Sequence, residues 1–140
     1  MRRMWMMAIL GATVAIGTGN AKADDQLTGI NWIIESVKDA GTIDTGQTSL
    51  RIEPDGKAAT TIGCNRMMGT ATIDGDKITF GPMAATRMAC PPPLMNQEQL
   101  YGAALEATRS YKFEDGMLLF VDENGAEVAR FAKGAEPSPQ

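Results

Sequence analysis

The chain has 140 residues, 13 basic and 17 acidic side chains for a formal net charge of −4, two cysteines and no histidine. The missing histidine excludes Ser-His-Asp and Cys-His catalysis, a histidine pH switch and most zinc sites. An acidic chain without a basic stripe is also a poor partner for nucleic acid or an anionic membrane.

In chain order, Arg2 and Arg3 precede an apolar run over residues 4–17, and Ala21-Lys22-Ala23 follows as a small-x-small cleavage site, the three parts of a secretory leader. The apolar run is shorter than the roughly 20 residues that cross a bilayer. Residues 1–23 are therefore expected to be a cleaved signal peptide, with no membrane span left after cleavage and a periplasmic or secreted product. No cysteine lies near the cleavage site, so a lipid anchor is not expected. Cleavage removes Arg2, Arg3 and Lys22 and no acidic residue, which takes the net charge to −7. Residues 24–131 suffice for one domain with a modest core. In an oxidising compartment the two cysteines, Cys64 and Cys90, are expected to form one disulfide.

From Leu27 onward, short strand-like runs alternate with turn dipeptides. Trp32–Val37 comes first, then a polar connection over 38–47, a strand over 49–53, the turn Pro54-Asp55-Gly56, and a strand over 58–62. Residues 70–73 and Lys77–Phe80 flank Asp74-Gly75, a tight hairpin signal because glycine after aspartate accepts positive φ. A disulfide from Cys64 to Cys90 would tie together the flanks of that hairpin. Leu94, Tyr101, Leu105 and Thr108 fall on one stripe at 3.6 residues per turn, the single helical pattern. That helix has two candidate starts: Pro93 as a first-turn proline, or Asn96 as a cap with Gln99 three residues on. Asp115-Gly116 and Asn124-Gly125 then bound Met117–Val121 and precede a strand over 127–131. The fold expected is α+β and mainly β, a curled antiparallel sheet or small barrel of about eight strands with one helix after strand five. Residues 132–140, polar and proline-containing, are expected to be a disordered tail.

Gly63-Cys64-Asn65-Arg66, a glycine three residues on at Gly69, and Thr86-Arg87-Met88-Ala89-Cys90 at this spacing resemble the META domain family, which includes the heat-shock protein HslJ. The similarity runs over residues 27–131, taking in Leu27-Thr28-Gly29, Trp32, Glu98, Leu105 and the last two strands. The family usually carries aromatic residues just after the first motif and just after the glycine, where this chain has Met67, Met68 and Ala71. The resemblance implies a small barrel-like β fold with one helix, an envelope location and a stress-related role. It makes Asn65, Arg66, Gly69, Thr86, Arg87 and Glu98 signature positions, structural or binding, and implies no assigned catalytic activity.

The residues themselves point the same way. No C-x-x-C, P-loop, Rossmann glycine pattern or EF-hand loop is present, so no catalytic residue, cofactor or metal ligand is expected. Asp74-Gly75-Asp76 resembles a fragment of a calcium loop but reads better as a hairpin turn. Asn65 is expected to bond neighbouring backbone groups in a turn. Glu98, about 40° from the centre of the helical stripe, is partly turned to the sheet and needs a partner, with Arg66 or Arg87 the expected cation. Of the ten methionines, the six left after the expected cleavage, Met67, Met68, Met83, Met88, Met95 and Met117, form no copper-type cluster and read as flexible core filler. The function expected is a non-catalytic envelope protein that binds a peptide, lipid or protein partner. The alternative is a small secreted protease inhibitor presenting Pro91-Pro92-Pro93 or the 38–47 connection, and a carboxylate hydrolase would need two facing acids in a cleft.

Overall fold

A computed structural model of the chain describes residue 11 and residues 23–134. The rest of the expected leader and the tail from residue 135 lie outside the described residues. Nine strands follow in order: β1 (Trp32–Val37), β2 (Ser49–Ile52), β3 (Lys57–Thr61), β4 (Arg66–Asp74), β5 (Lys77–Phe80), β6 (Ala84–Ala85), β7 (Ser110–Glu114), β8 (Met117–Val121) and β9 (Glu127–Lys133). One helix, α1 (Pro92–Ala107), stands between β6 and β7.

All pairings are antiparallel, in the order β3-β2-β1-β9-β8-β7-β5-β4-β6, and β3 also pairs with β4. That extra pairing closes eight strands into a ring and leaves β6 as an edge appended to β4. The helix therefore follows six strands rather than five. The additional strand has only two residues, both exposed, and so carries no alternation to detect. Strand β9 runs on to Lys133, two residues into the expected tail, and Gly134 N–H donates to Asn31 O at 2.8 Å.

Alternation along the strands sends Trp32, Ile34, Leu50, Ile52, Ile78, Leu118, Phe120 and Phe131 into the ring, each fully buried. Bulges reset the phase where alternation alone would fail: a register shift between Ile34 and Ser36 turns Val37 inward in place of Ser36. The interior is packed, with the Phe120 ring 4.7 Å from Phe131 and 5.5 Å from Phe80. Two seams are thin. Strands β1 and β2 share the single partner pair Trp32 and Leu50. There the Thr48 hydroxyl accepts the Ile34 N–H at 2.9 Å and donates to Thr45 O. Strands β5 and β7 share Lys77 and Ser110, reinforced by Tyr111 O–H to Gly75 O at 2.8 Å.

The helix begins at Pro92, with Pro91 as its cap residue, so prolines occupy its first turn and Asn96 lies inside it. Of the predicted stripe, Tyr101, Leu105 and Thr108 are buried and Leu94 is half-buried. The helix packs on β1, β5 and β9. From it Tyr101 reaches across to β3, its hydroxyl 2.6 Å from that of Thr60. Thr60 donates to Ser49 O, which leaves Tyr101 as the donor in that pair. Burial holds the Tyr101 hydroxyl well above the usual phenol range, against a smaller lowering from the Thr60 bond.

Candidate functional site

Two regions hold the residues singled out above. The first is a polar knot where the loop after β3, the segment before α1 and the helix meet. Cys64 and Cys90 are disulfide-bonded, with Cα atoms 6.2 Å apart. Between them lies Asn65, buried, whose amide carbonyl accepts the Met88 N–H at 2.7 Å and the Thr86 hydroxyl at 3.1 Å. Its amide nitrogen donates to Glu98 Oε2 at 2.9 Å and to Cys90 Sγ at 3.4 Å. The Asn65 backbone N–H donates to Glu98 Oε1 at 2.6 Å, and its carbonyl accepts from the Thr61 hydroxyl. Thr86 in turn accepts the Arg66 N–H and donates its own N–H to Arg66 O.

Asn65 is thus a long-range connector rather than a local turn former, joining three segments 21 to 33 positions apart in sequence. The expected ion pair is replaced. Among the described residues the ion pairs are Arg51–Glu53, Lys57–Asp55 and Arg130–Glu127, and Glu98 is held by the two N–H groups of Asn65 instead. Arg66 and Arg87 are exposed. Bidentate acceptance from neutral donors satisfies a half-buried carboxylate without a cation. No buried side-chain nitrogen or oxygen among the described residues lacks a partner.

Gly69 has a separate role. A Cβ there would lie 2.4 Å from Met83 Sδ and 3.0 Å from Pro82 O. Glycine lets the segment entering β6 lie against β4 at the point where β4 changes partner from β6 to β5.

The second region is the outer face of β2, β3 and β4. Strand register aligns Arg51, Ala59 and Met68 in one cross-strand row and Ser49, Thr61 and Arg66 in the next. The two rows wall a shallow groove of about 240 Å³. A second depression of about 280 Å³ adjoins it across Arg51, Ala59 and Met68. Met68 is 59% exposed beside small neighbours and cations at the groove's edge. The core-filler reading holds for Met67, buried in the core, and for Met83, half-buried against it, whereas Met68, Met88 and Met95 are exposed. The outward phase of Ala59 was legible as alternation, but that of Met68, in a stretch without polar alternation, and the register that aligns the two were not.

The other candidates resolve simply. Asp74-Gly75-Asp76 is the β4–β5 turn, with Asp74 opposite Lys77 and Gly75 at φ +61°. Pro92 and Pro93 are helical rather than a projecting loop. The 38–47 connection buries Ile43 and is anchored by Gln97 Nε2 to Thr42 O. No helix among the described residues is long and apolar enough to cross a membrane.

A family model described as the META domain matches residues 25–135. No curated protein matches the sequence. Among solved structures, the NMR structure of a protein from Burkholderia xenovorans is 25% identical with a TM-score of 0.60, over 79% of this chain and 85% of that one. Another NMR structure is 19% identical with a TM-score of 0.61, over 77% and 92%. The crystal structure of a duf4847 family protein from Bacteroides vulgatus, 19% identical with a TM-score of 0.50 over 66% and 63%, shares the fold.

Proposed function

The chain belongs to the META domain family, and from that premise we propose that it is a non-catalytic envelope module, exported by its leader, that holds a peptide or protein partner on the outer face of β2–β4 under envelope stress. One observation carries this reading: Met68, 59% exposed, stands in a groove floored by Ala59 and edged by Arg51 and Arg66. Such a surface offers an apolar anchor point with the exposed Arg66 beside it as a donor for a partner's carbonyls and carboxylates, Arg51 being already paired with Glu53 and Asn31. The packed aromatic interior favours this face over a lipid held inside the ring. The knot gives no support to carboxylate hydrolysis, because Glu98 accepts two hydrogen bonds from Asn65 and has no second carboxylate beside it in the one cluster of potential ligands among the described residues.

A photo-crosslinking amino acid placed at Ala59 in the native envelope tests the reading. It is expected to trap a discrete partner, and Met68→Glu is expected to abolish the adduct while leaving thermal stability unchanged. The same probe at Glu123, on a distant turn, serves as control. Equal trapping at both positions would overturn the proposal.

A further inference from the structure

We propose that the knot is also a redox-gated metal site: once the Cys64–Cys90 bond is reduced, Cys64, Cys90 and Glu98 bind a thiophilic divalent cation of the Zn²⁺ or Cd²⁺ class. Both sulfurs and a Glu98 carboxylate oxygen lie within 4.8 Å of one another. Two thiolates and a carboxylate are a donor set that such ions accept, with water free to take the fourth position. The Cα separation of 6.2 Å lets both cysteines reach one ion, since zinc–sulfur bonds are only about 2.3 Å long.

The surroundings favour a cation at this point. Asn65 grips both Glu98 oxygens through one lone pair each and leaves the others free, the way an outer-shell donor orients a metal-bound carboxylate. No arginine or lysine among the described residues pairs with Glu98. Two thiolates against that carboxylate would repel one another, and a divalent ion removes the repulsion.

The chemistry balances with a dithiol reductant. It passes two electrons and two protons to the disulfide, the sulfur–sulfur bond breaks to give two thiols, and the reductant closes to its own disulfide. Entry of the ion then forms two metal–sulfur bonds and releases the two thiol protons to solvent. In the oxidised protein the sulfurs are bonded to each other and the site is shut.

Titrating Cd²⁺ into the purified chain, oxidised and after reduction by a phosphine, tests this through the sulfur-to-cadmium charge-transfer absorbance with circular dichroism as the check on folding. One Cd²⁺ per reduced, folded chain is expected, with none on the oxidised chain. Glu98→Gln is expected to weaken uptake about tenfold or more, and Glu98→Asp, which keeps the carboxylate, to bind more tightly than Glu98→Gln. The proposal is overturned by uptake no greater than in a Cys64→Ser/Cys90→Ser variant, by equal affinity of Glu98→Gln and the parent, or by uptake in an unfolded chain alone.

Discussion

Asn65 makes six hydrogen bonds, four through its side chain, and they reach β3, the segment after β6 and the helix. Asn65→Ala would strip the Met88 N–H and the Glu98 carboxylate of a partner, and is expected to lower the free energy of urea unfolding by about 2–4 kcal/mol. Arg66→Ala and Arg87→Ala, on exposed side chains, are expected to stay within about 0.5 kcal/mol of the parent. A loss at either arginine equal to that at Asn65 would restore the ion-pair reading. Motif spacing drew attention to Asn65 and Glu98, and helical phase correctly turned Glu98 toward the sheet. The partner was misread because a carboxylate at a sheet surface invites a cation. Neutral donors can do the same work, and nothing in the sequence marks which of two residues 33 positions apart will be adjacent.

The strands were legible wherever alternation ran for four or more residues between glycine turns. Asp115-Gly116 is such a turn, with both residues at positive φ and Glu114 opposite Met117. Legibility failed at short or irregular elements: β6 has two residues, and the first half of β4, Arg66-Met67-Met68-Gly69, lacks polar alternation. The β1–β2 seam was invisible for a different reason, since a side chain replaces a rung of backbone ladder. Thr48→Val keeps the shape and removes the hydroxyl, stranding the buried Ile34 N–H. We expect a loss of about 1–3 kcal/mol and faster hydrogen exchange at Ile34, with exchange along β8 and β9 quickened only by the global change. Unaltered exchange at Ile34 would mean that the threonine bond does not hold the seam.

At the scale of the molecule, ring closure through β3–β4 hides the edges of eight strands, and the disulfide, Asn65 and Glu98 fasten the helix to the ring beside that closure. Closure was foreseeable from a meander with many short strands, whereas the strand on which it closes depends on pairings between distant segments. In the oxidised protein this knot makes helix and sheet one cooperative body. Urea unfolding with the Cys64–Cys90 bond intact and reduced, in metal-free buffer, followed by backbone circular dichroism and by tryptophan fluorescence, tests it most directly. Coincident transitions by both signals are expected, with a loss on reduction of about 3.5 kcal/mol for a loop of this length. A loss under about 1 kcal/mol, or a helical signal that melts apart from the fluorescence, would contradict it.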